Sequence, residues 1–162
     1  MDLSEWLKED AATARYYAAR LAQHGDDVRS VDWGSVQSQV QRFEVLARVG
    51  DLSNATVLDV GCGLGDLYAW LSQRGIQMRY TGVDITPQMI DACRRRFPAV
   101  DFEVANLLEA KLERRDYVFA SGIFYLRQTH PLDYMRAMLA RLFALCDKAV
   151  AFNSLSAWSP QR

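Results

Sequence analysis

The most informative segment of the sequence is LDVGCGLGD, which runs from Leu58 to Asp66. It continues a β-rich run that begins at Thr56, and the residues after it, Asp66 to Arg74, have a helical pattern. Gly61 and Gly63 lie where the strand would turn into the helix. Glycine lets a backbone turn sharply and approach a ligand closely, because a Cβ there would occupy the ligand's volume. The stretch therefore predicts a strand, a turn that holds a small molecule, and a helix.

The same alternation continues along the rest of the chain. A second strand is indicated at Met78–Val83, which completes one βαβ unit. The later segments are helices at Pro87–Phe97 and Pro131–Cys146 and strands at Val100–Val104, Tyr117–Ser121 and Lys148–Asn153. Five strands alternating with helices predict an α/β fold with a doubly wound, mainly parallel sheet and helices on both faces.

Two helical segments precede the first strand. One runs from Leu3 to about Gln23, and the other has apolar residues at helical spacing from Val36 until Gly50 ends the run. No internal repeat, low-complexity tract or domain boundary interrupts the chain. We expect a single domain over residues 1–162, with N-terminal helices in residues 1–50 and the sheet-containing core in residues 55–153.

Composition narrows the functional classes. Hydrophobic residues make up 50% of the 162 residues and charged residues 24%, which is typical of a compact globular domain. Lys and Arg total 19 against 20 Asp and Glu, so generic nucleic-acid binding is not expected. No run approaches the roughly 18–20 apolar residues that span a bilayer, so no membrane partner is expected. Cys62, Cys93 and Cys146 form no C-x-x-C and predict reduced thiols in a cytoplasmic protein.

Two acidic residues refine the expected ligand. Asp84 ends the second strand, 19 residues after Gly65, where a carboxylate can accept both hydrogen bonds of a ribose diol. Asp59 places an anion beside the turn, which would repel a pyrophosphate but suits a ligand with a cationic end. Asp66 stands where the dinucleotide fingerprint has its third glycine, so a nicotinamide-binding oxidoreductase is disfavoured. We expect an adenosine-containing ligand that carries an amine or a sulfonium.

These residues resemble a known family. Leu58 to Gly65, followed by Gly82 to Ile85, is similar to the first motif and the acidic second-strand end of class I S-adenosylmethionine-dependent methyltransferases, whose fold is Rossmann-like. The resemblance covers roughly residues 33–153 and includes Asp116 to Gly122 as the fourth strand. Asp32 to Phe43, with Ser121 to Phe124, further resembles a group of little-characterised bacterial small-molecule methyltransferases.

The resemblance implies a site for S-adenosylmethionine and no metal. Its residues would be Asp59, Gly61, Cys62, Gly63, Asp84, Ile85, Asn106, Leu107 and Ser121. The methionine portion would lie against the two glycines with Asp59 near its ammonium, Asp84 would accept from the ribose hydroxyls, and Ile85 would pack on the adenine. Cys62 is expected to be a small filler of the turn and not a nucleophile. Asn106 departs from the family pattern, which has an acidic residue there, but its carbonyl could still accept from the adenine amino group.

The implied function is transfer of the methyl group to a small-molecule acceptor by in-line displacement, in which the protein chiefly supplies proximity and orientation. The catalytic residues are left unknown. A hydroxyl acceptor would need a base, for which His130 or a tyrosine is a candidate. The alternative is a non-catalytic S-adenosylmethionine-binding or interaction protein.

The end of the sequence departs from the family. The family's sheet has seven strands, the last two forming an antiparallel hairpin, whereas this sequence stops nine residues after Asn153. A truncated or naturally shortened sheet would leave the fifth strand as an edge that carries Val150 and Phe152. We expect a homodimer that covers this edge. Alternatively, residues Ser154 to Arg162, with Trp158, fold back as a plug.

Overall fold

A computed structural model describes residues 3–126 and 129–155 of the chain. The strands are β1 (Thr56–Val60), β2 (Arg79–Asp84), β3 (Asp101–Val104), β4 (Arg115–Ala120) and β5 (Cys146–Phe152). The α-helices are α1 (Leu3–His24), α2 (Val36–Leu46), α3 (Asp66–Gln73), α4 (Pro87–Arg96) and α5 (Pro131–Ala144). The five strands form one sheet in the order β3-β2-β1-β4-β5, and all four neighbouring pairs are parallel. The predicted α/β fold class is confirmed.

The order of the strands determines where a ligand can enter. The chain leaves β1 through α3 to reach β2 on one side, whereas β4 lies on the other side of β1. Connections therefore diverge above the carboxyl end of β1, and such a switch point leaves a crevice in a parallel sheet. The glycine turn that follows β1 lies at this crevice.

Helices cover both faces of the sheet. On one face, Phe43 of α2, Trp70 of α3 and Ile90 of α4 pack in one buried cluster with Val57 of β1. On the other face, the cluster contains residues of α1, α5 and the opposite side of the strands: Trp6, Tyr134, Met138, Leu58 and Val118. Alternation along β1 divides the two clusters, because successive side chains of a strand point to opposite faces. Among the described residues, no helix is long and apolar enough to cross a membrane.

The largest difference from the sequence boundaries is at the pairing of β4 with β5. Both strands begin two residues earlier than predicted, at Arg115 and Cys146. Arg115 pairs with Cys146, its backbone N–H donates to the carbonyl of Leu145, and the register then shifts before Tyr117. Arg115, which lies in a charged segment before the predicted strand, thus joins the sheet, because backbone pairing with β5 overrides the polar composition of that segment.

Candidate functional site

A cavity of about 1180 Å³ opens at the carboxyl ends of the strands, beneath α1 and α2. All nine predicted cofactor-binding residues line it: Asp59, Gly61, Cys62, Gly63, Asp84, Ile85, Asn106, Leu107 and Ser121. Single-ligand pockets commonly measure about 300–1,000 Å³, so this cavity has room for a cofactor and a second small molecule. A cavity of about 460 Å³ at the opposite end, near Thr56 and Arg79, lies at the amino ends of the strands, where parallel sheets do not usually bind ligands.

The glycine turn adopts a conformation that other residues rarely take. Gly61, Gly63 and Gly65 have φ values of +74°, +54° and +74°. A Cβ on Gly61 would collide with the Ile123 side chain, and one on Gly63 would lie 2.8 Å from Cγ1 of Val31. The sequence predicted that a Cβ at these positions would meet the ligand, whereas in the structure it would meet other side chains of the protein. The glycines are required first by backbone conformation and by side chains that close over the turn.

Asp84 connects the end of β2 to this turn. Its Oδ2 accepts a hydrogen bond from the backbone N–H of Gly63 at 3.0 Å, and its Oδ1 accepts one from the N–H of Thr86 at 2.8 Å. Burial raises the pKa of this carboxyl, while the hydrogen bonds from Thr86 and Gly63 oppose that rise. Each carboxylate oxygen can accept a second hydrogen bond. The side chain is therefore held in one orientation at the cavity with acceptor capacity left.

Asp59 has a different electrostatic state from the one expected. The side chain is 2% exposed, and the hydroxyl of Tyr80 donates to its Oδ2 at 2.5 Å. Burial raises its pKa to about 7, the negative charges of Asp84 and Asp66 act in the same direction, and the Tyr80 hydrogen bond opposes them. A pKa of about 7 means that near neutral pH the carboxyl is protonated part of the time in the free protein, so the expected anion is only partly formed there. A ligand cation at the cavity would favour the charged form.

Cys62 is buried within the turn. Its Sγ would lie 3.0 Å from a Cβ on Gly82, so the thiol fills the space that this glycine leaves. Burial raises the pKa of the thiol well above its ordinary value, and neighbouring Asp84 acts in the same direction. Because the thiolate is the nucleophilic form, the structure favours the small-filler interpretation.

The structure gives Asn106 partners that the sequence did not indicate. Its Nδ2 donates to Oδ2 of Asp10 in α1 at 2.8 Å, and its Oδ1 accepts from the backbone N–H of Leu108 at 3.0 Å. The carbonyl that was expected to await an adenine amino group already accepts one hydrogen bond and has one lone pair left. Asp10 also lines the cavity and accepts from the hydroxyl of Tyr134 at 3.2 Å. Nothing in the helical pattern around Asp10 distinguishes it in the sequence.

A cluster of polar groups forms the other wall of the cavity. The hydroxyls of Tyr17 and Tyr125 are 2.6 Å apart, and that of Tyr125 donates to Oδ2 of Asp32 at 2.8 Å. Arg20 pairs with the same carboxylate at 2.9 Å. Burial is the largest cause that raises the pKa of both tyrosines, so they remain protonated and serve as donors. His130 precedes α5 and does not line the cavity, which removes the support for it as a base.

No group of three or more His, Cys, Asp or Glu side chains in the described part of the chain is arranged to hold a metal ion. The site is defined by a glycine turn, two buried carboxyls and a roof of aromatic and polar groups. On a parallel sheet with this strand order, these features are typical of a protein that binds an adenosine-containing ligand.

Comparison with known proteins gives the family. A family model described as a methyltransferase domain matches residues 57–148, and the chain belongs to this family. The chain is 36% identical over 112 residues to the protein Rv1506c of Mycobacterium tuberculosis, covering 64% of this chain and 65% of that protein. It is 33% identical over 99 residues to trans-aconitate 2-methyltransferase of Azoarcus sp. BH72, covering 60% and 39%. The chain thus spans about two fifths to just under two thirds of these curated relatives.

Solved structures show the same fold. Magnesium protoporphyrin IX methyltransferase from Synechocystis PCC 6803, crystallised with bound SAM, superimposes with a TM-score of 0.68 at 21% identity, covering 89% of this chain and 74% of that one. This likeness shows a common Rossmann-like architecture, to which the five strands of the described residues belong.

Proposed function

We propose that this chain binds S-adenosylmethionine in the large cavity and transfers its methyl group to a small-molecule acceptor. The observation that carries the proposal is the convergence of the glycine turn and the Asp84 carboxylate on one cavity, in a chain that belongs to the methyltransferase family. Relatives named as methyltransferases of trans-aconitate support a small acceptor.

The residues of the cavity fit this cofactor. Asp84 has acceptor capacity for the ribose hydroxyls, and Asp59 is a buried carboxyl whose charged form an ammonium would stabilise. The bound cofactor would supply a methyl group on a positively charged sulfur, a donor that needs no further activation. The turn residues Gly61, Cys62 and Gly63 would contact its methionine portion.

The adenine would lie beyond Asp84, toward the end of β3. Ile85 and the buried Leu107 offer apolar contact there, and Asn106 has one carbonyl lone pair left for the amino group. Ser121, after β4, would face the sulfur end from the other side of β1.

The protein's contribution to transfer would be to orient the acceptor and to exclude water. The described lining contains no histidine or lysine, and burial keeps the hydrogen-bonded Tyr17 and Tyr125 protonated. Of the lining carboxyls, Asp59 and Asp84 are assigned to the cofactor in this proposal, and Asp10, Asp32 and Asp66 are bound to Asn106, Arg20 and Arg96. An acceptor atom that needs no proton removed before attack, such as a carboxylate oxygen or a free amine, therefore fits this lining best.

The test separates catalysis from binding alone. Calorimetry with S-adenosylmethionine and S-adenosylhomocysteine measures cofactor binding, and formation of S-adenosylhomocysteine in the presence of small carboxylic acids and amines measures transfer. Binding together with acceptor-dependent turnover is expected. Binding without turnover on any acceptor would favour the non-catalytic alternative, and no binding of either compound would refute the proposal.

We also infer that two copies of the chain associate in the cytoplasm through β5. This strand is an edge of the sheet among the described residues, and Phe152 on it is 37% exposed. Two identical edges can pair about a two-fold axis. The three cysteines are free thiols, as suits a reducing compartment. The predicted plug falls largely on residues 156–162, which lie outside the described residues.

A further inference from the structure

Three arginines in the described residues line the large cavity, and they differ in their partners. Arg20 pairs with Asp32 at 2.9 Å, and Arg29 pairs with Asp27 at 2.8 Å. Arg42 has no acidic partner within the described part of the chain. The cavity thus holds one cation whose charge no neighbouring carboxylate neutralises.

The guanidinium of Arg42 is nevertheless held in place. Its Nη1 donates to the carbonyl oxygen of Ser38 at 2.9 Å and to the Ser38 hydroxyl at 2.8 Å. Its Cζ lies 4.8 Å from the ring centroid of Trp33, within range of a cation–π interaction. These contacts use one end of the planar group and one of its faces. The edge formed by Nε and Nη2 has no hydrogen-bond partner among the described residues, and this edge matches the two oxygens of a carboxylate.

Arg42 and its neighbours Trp33 and Ser38 line the same cavity as the glycine turn. Trp33 lies 3.5 Å from the position of a Cβ on Gly122, directly after β4. Gln39, one turn before Phe43 on the same helix, donates from Nε2 to Oδ2 of Asp66 at the start of α3. The segment from Asp32 to Phe43 contains none of the predicted cofactor-binding residues. It nevertheless forms one wall of the same cavity.

The charges nearby favour a singly charged ligand group. Asp84 and the partly charged Asp59 line the cavity, Asp66 there is paired with Arg96, and Arg42 would offset the single charge of a ligand carboxylate. A phosphate, with a charge of about −1.5 to −2 at neutral pH, would meet more repulsion from these acids. A neutral amide would leave the cation unpaired, and an amine would be repelled by it.

We propose that Arg42 binds a carboxylate of the methyl acceptor, with Trp33 and Ser38 holding the guanidinium in its binding orientation. This inference rests on the proposed methyltransferase function and adds the chemical class of the acceptor. The acceptor is a small organic acid whose carboxylate is fixed between α2 and the end of β4.

The test measures ligand binding without turnover. Protein saturated with S-adenosylhomocysteine is titrated with benzoate and with acetate, and with benzamide and phenyl phosphate as matched probes, by calorimetry. At least one carboxylate is expected to bind, whereas benzamide is not. The Arg42→Ala substitution is expected to lower the affinity for that carboxylate about tenfold or more. Arg42→Lys should retain part of the affinity, since it keeps the charge but loses the fork. Arg48→Ala, which removes an exposed arginine outside the cavity, should bind like the wild type.

The affinity of each variant for S-adenosylhomocysteine distinguishes a failure of the Arg42 inference from a failure of the proposed function. If S-adenosylhomocysteine binds normally but no carboxylate binds, the inference is wrong and the proposed function stands. The same conclusion follows if Arg42→Ala binds the carboxylate as tightly as the wild type does. Tighter binding of phenyl phosphate or benzamide than of benzoate would also overturn it. If S-adenosylhomocysteine itself fails to bind the wild type, the proposed function fails and the inference fails with it.

Discussion

The hydroxyl of Tyr80 donates a hydrogen bond of 2.5 Å to the carboxyl of Asp59, so β1 and β2 share a polar contact directly beneath the glycine turn. The pair lies in an otherwise apolar layer with Phe102 and Tyr68 around Tyr80. A buried carboxyl stays protonated to a higher pH than an exposed one, and the pKa of about 7 for Asp59 follows from that burial. This relationship makes the stability of the free protein depend on pH.

Replacing Asp59 with asparagine should stabilise the free protein above neutral pH. The folded pKa is raised above the ordinary 3.8, so the contribution of Asp59 is fully present below pH 4 and is lost as the pH rises through about 7. Between these two pH limits, the contribution of Asp59 to the free energy of unfolding changes by about 4 kcal/mol. The difference in Tm between Asp59→Asn and the wild type should increase from near zero at pH 4 to at least about 5 °C at pH 8.

Thermal denaturation at half-unit pH steps measures this difference. Other titrating groups cancel in the comparison, because both proteins carry them. A Tm difference that stays constant between pH 4 and pH 8 would show that Asp59 titrates like an exposed carboxyl. The same variant should bind S-adenosylmethionine more weakly, because asparagine cannot become an anion beside the ammonium.

Replacing Asp84 with alanine should weaken S-adenosylmethionine by about 10- to 100-fold, since hydrogen bonds to a charged acceptor are worth about 1.5–3 kcal/mol. Calorimetry at pH 7 gives the affinity, and circular dichroism checks that the variant is folded. Asp101→Ala, which removes an exposed carboxylate from β3 outside the cavity, is the matched control and should bind normally. Equal affinities for the two variants would exclude Asp84 from the ribose site.

Gly63→Ala and Gly75→Ala form a pair that separates steric closure from backbone strain. Both positions have positive φ, +54° and +75°, so each alanine strains the backbone by about 1–2 kcal/mol. Only at Gly63 does the new Cβ meet a neighbour, Cγ1 of Val31 at 2.8 Å; at Gly75 nothing lies within 4 Å. We expect both variants to lose stability and only Gly63→Ala to lose cofactor affinity, by at least about tenfold.

Adding Val31→Ala to Gly63→Ala should restore part of that affinity, because the colliding methyl group is removed. Calorimetry on the single and double variants measures the recovery. If Gly63→Ala and Gly75→Ala bind S-adenosylmethionine equally well, the turn is a plain connection and does not shape the site.

Replacing Phe152 with lysine should convert the proposed dimer to a monomer, because a charge at this end of β5 would be placed in the apolar contact between the two paired edges. Light scattering at tens of micromolar protein measures the mass. Val45→Lys, on the exposed surface of α2, is the control that introduces the same charge elsewhere and should remain dimeric. A wild-type protein that is monomeric at this concentration would refute the dimer.

The order of the strands and helices and the position of the glycine turn could be predicted from the amino-acid sequence. The run from Leu58 to Asp66 sets a strand, a turn and a helix through local preferences alone, and a parallel sheet brings the carboxyl ends of its strands to one edge. For this reason the nine predicted residues, although spread from Asp59 to Ser121, line one cavity. The local sequence pattern was sufficient to predict that these residues lie together, because the parallel direction of the strands brings their carboxyl ends to one edge of the sheet.

The side-chain contacts across that cavity could not be predicted from the sequence and are known from the three-dimensional structure. The contacts of Tyr80 with Asp59, Asp10 with Asn106, and Arg42 with Trp33 depend on strand register and on how α1 and α2 lie over the sheet. Register and helix docking are set by packing of the whole core, so no short segment encodes them. The protonation of Asp59 follows in the same way, because a pKa responds to burial and to neighbouring charges, which exist only after the chain has folded.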